Sequence, residues 1–291
     1  MKLGVIICED MWDTNFNRTP VRDLAAQGAE LIISINASPF VPGKFETRDQ
    51  LIRKHISEVH LPFIYLNTAG VADNGKNLIP FDGQSLVYDR NGNLLAFGKQ
   101  FEEELRLVDL PNALAVAKPI SNKVAEQCEA IEMAIADYCK KAGFNGDIEI
   151  SLSGGVDSAV VAALAVKRFG KERVVLINQP SKHNKAQTIG MAEQIAQNLG
   201  CRYVSVGIQQ AYDMIVDTFE KQFHPIKHSV SKQNIQARLR GVNSMIESND
   251  SGSLLLSCGN KTEIALGYAT LYGDMCGGIS PIGDLNKMQV Y

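Results

Sequence analysis

The chain has 291 residues and a formal net charge of −3, with 45% hydrophobic and 21% charged side chains. This length is enough for two domains, and the composition is that of an ordinary globular protein. The small negative charge gives no reason to expect a nucleic acid or an anionic membrane surface as a partner. The sequence contains no apolar run of the roughly 18 residues that cross a bilayer. We therefore expect small-molecule partners, with no nucleic acid and no membrane.

The six cysteines lie at positions 8, 128, 139, 201, 258 and 276 and form no C-x-x-C pair. This scatter is typical of a reduced cytosolic protein rather than of a disulfide framework or a structural zinc site. We expect a cytoplasmic location.

Short apolar strands and turn signals dominate the first 111 residues. The predicted elements are, in order, a strand over 3–8, a helix over 20–28, and strands over 30–36, 62–67 and 84–88. Asn74-Gly75 is a turn signal, and residues 90–93 predict a hairpin onto a strand over 94–97. We expect the last strand of this part to end at 108–111.

A second part of the chain follows a predicted linker. Residues 112–122 are small, contain proline and lack clear periodicity, which is typical of a linker. A helix is expected from Lys123 to near Gly143. The sequence thus predicts one domain over 1–111, a linker over 112–122 and a second domain over 123–291.

The segment SLSGGVDS, residues 151–158, separates a predicted strand from a predicted alanine-rich helix. A glycine pair at that place lets backbone amides approach a ligand closely, and the helix start adds free N–H groups and a positive dipole end. Serine hydroxyls add donors, and Asp157 adds a carboxylate that can hold Mg²⁺. No lysine follows the glycines, so the segment is not a P-loop. These features favour a polyphosphate site.

Strands alternate with helices after this segment. The predicted strands cover 148–152, 173–178, 202–206 and 254–258, and the predicted helices cover 159–169, 186–199, 209–219 and 232–247. Such alternation indicates a parallel sheet covered on both faces. Ligands of such sheets bind beyond the carboxyl ends of the strands, where SLSGGVDS and the segment after Cys258 both lie.

The first part resembles the carbon–nitrogen hydrolase (nitrilase) family, and more narrowly the glutaminase domain of glutamine-dependent NAD synthetases. The resemblance is carried by GVIICEDMW at 4–12, by NASPF at 36–40 and by Gly43-Lys44. It implies an αββα sandwich with Cys8 as the nucleophile and with Ser38 and Lys44 as contacts to glutamine. Judged alone, Cys8 would be read as a small buried apolar residue.

The family places a general-base Glu and a Lys well upstream of the nucleophile, and only seven residues precede Cys8 here. Without the base the thiol stays mostly protonated near pH 7, and without the Lys one oxyanion-stabilising group is missing. The resemblance therefore predicts a chain incomplete at its N-terminus, with an uncovered sheet edge and apolar faces and no glutamine hydrolysis of its own.

The second part resembles the N-type ATP pyrophosphatases through SGGVDS, a loop that GMP, asparagine and argininosuccinate synthetases share. NIQARLRG at 234–241, GNKTEIALGYATLYGDM at 259–275 and PIGDLNK at 281–287 resemble NAD synthetase more specifically. The implied fold is a doubly wound, Rossmann-like parallel sheet. The family continues beyond the position of Tyr291, so the resemblance also predicts an incomplete C-terminus and weak synthetase turnover.

The resemblance implies a carbon–nitrogen ligase that adenylates deamido-NAD with ATP and then amidates it to NAD with ammonia from glutamine, releasing AMP and pyrophosphate. Mg²⁺ would be held by Asp157 and Glu263. A homo-oligomer is expected because the family commonly assembles through its synthetase domains. The implied ATP contacts are Ser151, Leu152, Ser153, Gly154, Gly155, Val156, Asp157, Ser158, Cys258 and Lys287. The implied deamido-NAD contacts are Asn234, Glu263, Tyr268, Ala269, Thr270 and Leu271.

Three alternatives stay open from the residues. The chain could be a different ATP-pyrophosphatase amidotransferase, against which the Cys8 region speaks, or a non-catalytic nucleotide-binding remnant. Arg238 and Arg240 are equally compatible with simple salt bridges on a helix surface.

Overall fold

The structure is a computed structural model in which residues 1–13, 16–75 and 77–291 are described. It divides into two units, 1–138 and 139–291. This division falls inside a helix that follows the predicted linker, and the predicted domain bounds stay a prediction.

The first unit is built on a five-stranded mixed sheet. Its strands are β1 (Leu3–Ile7), β2 (Leu31–Asn36), β3 (Phe63–Asn67), β6 (Leu86–Tyr88) and β7 (Leu94–Phe97), which lie in that spatial order. The first three pair in parallel, and β6 and β7 add antiparallel. A separate hairpin pairs β4 (Ala69–Asp73) with β5 (Leu78–Asp82).

One face of the five-stranded sheet carries the core of the unit. Alternate residues of the strands, such as Ile6, Ile32 and Phe63, are fully buried against α1 (Pro20–Ala26) and α2 (Lys44–Val59). The opposite face presents Leu3, Val5, Ile7, Ile35 and Leu66 as exposed side chains. The period of two along each strand accounts for both faces, although Leu31 and Leu95 of the opposite face are also buried.

A buried ion pair joins α2 to the hairpin. Arg48 donates to both carboxylate oxygens of Asp82, at 2.7 and 2.9 Å, and both side chains are almost fully buried. The Arg48 guanidinium also lies over the ring of Tyr65. Asn67 donates a further hydrogen bond to Asp82. The geometry is bidentate, which is the strong arrangement for this pair.

Two sequence expectations for this unit were wrong or incomplete. No strand is present at 108–111: β7 ends at Phe97, and residues 102–109 have no regular structure. Exposed Leu105 and Leu107 have no sheet to pack on. Helix α2 and the β4–β5 hairpin were not predicted, although the Asn74-Gly75 turn signal lies between the two strands of that hairpin.

The second unit contains a four-stranded, wholly parallel sheet. The strands β8 (Ile148–Ser151), β9 (Val174–Asn178), β10 (Arg202–Ser205) and β11 (Leu254–Leu256) lie in the order β10-β9-β8-β11. The chain moves outward from β8 to β10 and then returns to the other side of β8. The order of connection therefore reverses between β8 and β11, the place where open sheets of this kind bind ligands.

Seven helices flank these strands or precede them, and the sequence periodicity predicted the first five but not the last two. They are α3 (Lys123–Lys141), α4 (Val156–Phe169), α5 (Ala186–Leu199), α6 (Gln209–Gln222), α7 (Ser229–Ser251), α8 (Lys261–Leu266) and α9 (Lys287–Val290). Helices α4, α5 and α6 were predicted with bounds within about three residues, and α7 extends further at both ends. Across 1–13, 16–75 and 77–291, none of the helices has the length and apolar character needed to cross a membrane.

Replacing Arg48 by Met should destabilise the first unit strongly. The change leaves the Asp82 carboxylate buried without its cation, which typically costs about 3–5 kcal/mol. Urea unfolding followed by Trp12 fluorescence measures this unit specifically, because Trp12 is the sole tryptophan and packs against its core.

The matched control is Lys99→Met, which removes the ion pair with Glu102, where both side chains are 61% exposed. Such exposed pairs contribute little to stability, because solvent screens the two charges. Equal midpoints for the two variants would contradict a stabilising role for the buried pair.

Candidate functional site

The candidate site lies at the carboxyl ends of β8 and β11, where the connection order of the parallel sheet reverses. The SGGVDS loop leaves β8 and opens α4, and the segment Ser257-Cys258-Gly259-Asn260 leaves β11 and opens α8. Because the strands pair in parallel, both segments emerge at the same sheet edge.

The loop after β8 is held closed by its own serines. The Ser158 hydroxyl accepts from the Ser153 amide at 3.3 Å and donates to the Gly155 carbonyl at 3.0 Å. The Gly155 amide donates to the Ser153 hydroxyl. Gly154 has a φ of +85°, and a Cβ atom there would lie 2.3 Å from the Thr188 carbonyl of α5. Only glycine satisfies both the dihedral and the space.

Two carboxylates meet around one asparagine. Asn260 caps α8, because its side-chain oxygen accepts from the backbone N–H of Glu263. In return, the backbone N–H of Asn260 donates to the Glu263 carboxylate at 3.2 Å. The Asn260 side chain donates to Asp157 Oδ1 at 3.0 Å. Lys287, at the start of α9, donates to Asp157 Oδ2 at 2.5 Å, and this bond raises the pKa of the lysine. The arrangement gathers two negative groups and one positive group at a single edge.

A cavity of about 350 Å³ opens beside these groups. Of the predicted residues, it is lined by Ser151, Leu152, Ser153, Asp157, Ser158, Cys258 and Glu263. Gly154, Gly155 and Val156 belong to the same loop, and Lys287 reaches the cavity through Asp157. The structure therefore brings the predicted ATP and Mg²⁺ residues together. Among the described residues, no cluster of three or more His, Cys, Asp and Glu side chains is arranged to hold a metal ion.

The predicted deamido-NAD contacts are placed differently. Thr270 donates to Asn234 of α7 at 3.0 Å, which joins two of them. Tyr268 and Leu271 are exposed, and Asn234 and residues 268–271 lie outside the cavity lining. Glu263 alone of this set lines the cavity. Asn234 and residues 268–271 therefore form a surface outside the cavity, at the N-terminal part of α7.

Several lining residues were not identified from the sequence. Asn178 is the last residue of β9, Gln179 follows it, and Ser244 lies on α7. The signal that selected Ser151 to Ser158, polar residues directly after a buried strand, also applies to Asn178 and Gln179. Ser244 carries no comparable signal, because its place depends on how α7 packs on the sheet.

Within the part of the chain that the structure describes, Arg238 and Arg240 of α7 donate to neutral acceptors and do not form the surface salt bridges that the sequence also allowed. Arg240 donates to the Gln179 carbonyl at 2.9 Å and to Asn184 at 3.2 Å, and Arg238 donates to the Leu271 carbonyl. Burial lowers the pKa of Arg240. Arg240 thus places a desolvated cation in the cavity wall beside neutral acceptors.

Burial raises the pKa of two further ionisable groups in the second unit. Burial, and then the negative charges of Asp157 and Glu263, raise the pKa of the Cys258 thiol to about 12. Glu149 of β8 is fully buried, and burial raises the pKa of its carboxyl to about 7, with a smaller raising contribution from Glu247. Both groups are therefore neutral over much of the range below pH 7.

A second set of predicted residues lies in the first unit. Cys8 follows β1 with a φ of +42°, an uncommon conformation for a residue with a side chain. Ser38 is buried, its amide donates to Asn67, and its carbonyl accepts from Arg48. Backbone strain of the kind found at Cys8 is concentrated at functional positions in proteins.

Lys44 begins α2 and donates to the Pro39 carbonyl at 2.8 Å. Burial, followed by the charge of Arg48, lowers the pKa of Lys44, while Asp82 and Cys8 act in the opposite direction. The buried Arg48–Asp82 pair supports the backbone on which Ser38 and Lys44 are displayed.

The two parts of the chain match different protein families. The carbon–nitrogen hydrolase family profile matches residues 1–118, and the NAD synthase family profile matches residues 127–291, more than half of the chain. The chain belongs to the NAD synthase family. This membership, together with the carbon–nitrogen hydrolase match, confirms the predicted fold class.

Similar proteins carry both parts. The glutamine-dependent NAD(+) synthetase of Xylella fastidiosa (strain Temecula1 / ATCC 700964) is 34% identical over 99% of this chain, which corresponds to 53% of that protein. The protein of the same name from a Synechocystis species is 34% identical over all of this chain and 54% of its own length. A solved structure of the Acinetobacter baumannii glutamine-dependent NAD+ synthetase with ADP matches 99% of this chain and 54% of its own, with a TM-score of 0.90 and 32% identity. The chain spans about half the length of the curated relatives it matches.

Iodoacetamide at pH 8 should label Cys8 well before Cys258. The thiolate is the reacting form, and a pKa of about 12 leaves only a minute fraction of Cys258 as thiolate at that pH. Peptide mass spectrometry resolves the two sites, and Cys8→Ser identifies the Cys8 peptide. Labelling of Cys258 at the rate of Cys8 would contradict the environment described.

Replacing Glu149 by Gln should remove a pH-dependent loss of stability. The folded-state pKa of Glu149, about 7, lies above its ordinary value near 4.5. The folded protein therefore binds the proton more tightly, and stability falls as pH rises from about 4.5 through 7. The variant should gain stability relative to wild type between pH 5 and pH 8, by on the order of 3 kcal/mol.

Urea unfolding of the second unit by far-UV circular dichroism measures this difference, with Trp12 fluorescence marking the first unit separately. Parallel pH profiles of the two proteins would show that Glu149 titrates normally.

Proposed function

We propose that this chain carries residues from the two active centres of a glutamine-dependent NAD(+) synthetase, a carbon–nitrogen ligase. In this reaction the nicotinate carboxylate of deamido-NAD attacks the α-phosphorus of ATP, which forms an adenylate and releases pyrophosphate. Ammonia then attacks the activated acyl carbon, AMP leaves, and a proton is lost as the amide of NAD forms. Glutamine supplies the ammonia.

The observation that carries this proposal is the convergence of the loop, the two carboxylates and the lysine on one cavity. The start of α4 presents backbone N–H donors beside the Ser153 hydroxyl, and such donors suit phosphate oxygens. The relatives named above are synthetases of this kind, and the Acinetobacter baumannii structure contains ADP. Family membership and the chemistry of the cavity therefore both support an adenine nucleotide as its ligand.

The residues present fit Mg²⁺. Asp157 and Glu263 provide hard oxygen ligands on either side of Asn260, and such an ion takes one or two carboxylates together with phosphates and waters. When bound, it would neutralise charge on the phosphates. Lys287 supplies a positive group at Asp157 in this structure and would neutralise charge on the leaving pyrophosphate. Chemistry of this type depends mainly on positioning and charge.

Deamido-NAD would extend from the cavity along the start of α7. Asn234 and Thr270 form a hydrogen-bonded pair there, and exposed Tyr268 and Leu271 offer apolar surface to a dinucleotide. We assign the predicted contacts, Asn234, Glu263, Tyr268, Ala269, Thr270 and Leu271, to this substrate.

In the first unit, Cys8 would act as the nucleophile toward the glutamine side-chain carbonyl, with Ser38 and Lys44 binding the amino acid. The positive φ of Cys8 supports this role. A cytoplasmic homo-oligomer with residues 112–122 as the link between domains completes the proposal.

Asp157→Asn should abolish the contribution of Mg²⁺ to nucleotide binding. We expect Mg²⁺ to tighten ADP binding to the wild-type chain on the order of tenfold, about 1.4 kcal/mol, and to leave the variant nearly unaffected. Calorimetric titration of ADP with and without Mg²⁺ gives both values.

The matched control is Asp284→Asn, which removes an acid that is 96% exposed and paired with Lys261. This variant should keep the full Mg²⁺ effect. An unchanged Mg²⁺ effect in Asp157→Asn, or no ADP binding to the wild-type chain, would refute the assignment of this cavity.

A further inference from the structure

A group of polar side chains behind the cavity has no part in the proposed reaction. Glu149 points from β8 toward α7 and is fully buried, with one oxygen accepting from Ser253 at 3.1 Å. Within the described chain, its second oxygen, Oε1, has no hydrogen-bond partner. A buried polar atom without a partner is costly, so this carboxyl needs a physical account.

Ser244 connects this carboxyl to the cavity. Its hydroxyl pairs with the Ser151 hydroxyl at 2.9 Å and accepts from the Gln179 side chain at 3.0 Å. It also lies beside Glu149 and favours the charged form of that carboxyl by side-chain hydrogen bonding, although Glu149 Oε1 has no partner at ordinary hydrogen-bond distance within the described chain. Ser151, Gln179 and Ser244 all line the cavity. The buried carboxyl is therefore one side chain away from the ligand-facing wall.

We propose that Glu149 is a positioning residue that sets the direction of the Ser244–Ser151 hydrogen bond, and thereby decides whether Ser151 can donate to a bound nucleotide. The proposal rests on the proposed function, because it takes a nucleotide as the occupant of this cavity.

The hydrogen bond between Ser244 and Ser151 can run in either direction, and the number of protons available to Ser244 decides which hydroxyl donates. A hydroxyl has one proton to donate and two lone pairs to accept with, and the Gln179 amide already occupies one lone pair of Ser244. If Glu149 is ionised, Ser244 turns its proton toward the carboxylate and accepts from Ser151. The Ser151 proton is then engaged away from the cavity.

If Glu149 is protonated, the carboxyl donates to Ser244 and Ser244 donates to Ser151. The Ser151 proton is then free to point at an acceptor of the ligand. Protonation therefore converts Ser151 into a donor at the cavity wall without any backbone movement.

The environment makes both states accessible near neutrality. In the sheet, Glu149 is in register with Val175 and Leu255, which are apolar. Ser253 precedes β11, and Ser244 and Glu247 act from α7. Burial, opposed by Ser253 and Ser244 and supported by Glu247, raises the pKa of Glu149 to about 7.

ADP binding without Mg²⁺ tests the proposal by calorimetry of the full chain at pH 6, 7 and 8. Glu149→Gln keeps a permanent donor in the position of the protonated carboxyl. We expect wild type to bind like this variant at pH 6 and about fivefold more weakly at pH 8, the size of one neutral hydrogen bond. The titration of ADP itself is common to both proteins and cancels in the ratio.

Two further variants separate the relay from a structural effect. Ser244→Ala breaks the connection and should give a constant ratio to Glu149→Gln across the pH range. Glu247→Gln removes only the neighbouring charge and should keep the pH dependence with its midpoint moved to lower pH. A constant ratio of wild type to Glu149→Gln would overturn the relay while leaving nucleotide binding intact. No ADP binding to wild type at any pH would overturn the proposed function together with it.

Discussion

The parallel pairing of β8 with β9 on one side and β11 on the other is the constraint on which the second unit depends. It places three strand ends at one edge. From that edge the chain reaches the SGGVDS loop, Asn178-Gln179 and Asn260 within a few residues. Charges such as Asp157 and Glu263, more than 100 positions apart, then share a single asparagine. The first unit repeats the principle, since its nucleophile candidate Cys8 and Ser38 both follow parallel strands.

The periodicity of hydrophobic residues predicted most strands and helices of both units because their buried faces are apolar. It failed for α2 because the buried face of that helix includes Arg48, Asp49 and His55, whose burial depends on tertiary partners such as Asp82. The β4–β5 hairpin was not predicted because its strands show no regular alternation of buried and exposed residues, and one of them contains Pro80. The incorrect strand near 108–111 arose from apolar residues that the structure leaves in water.

The candidate site could be predicted as far as residues in local motifs allow. The loop at 151–158 and Glu263 carry such motifs, and the structure gathers them at one cavity. The contribution of α7 was out of reach, because Ser244 and Arg240 become site residues only through the angle at which that helix crosses the sheet. The partnership of Lys287 with Asp157 spans 130 positions. A local pattern can name both residues, but it cannot show that they meet.

The close packing of Gly154 on the Thr188 carbonyl has a thermodynamic consequence for recognition. Ordering one residue of a flexible loop costs roughly 1–2 kcal/mol of conformational entropy. Here that cost is met during folding, because α5 and the Ser153–Ser158 hydrogen bonds fix the loop before any ligand arrives. The affinity of the cavity for a phosphate group is then limited by desolvation and charge, rather than by the loss of loop motion.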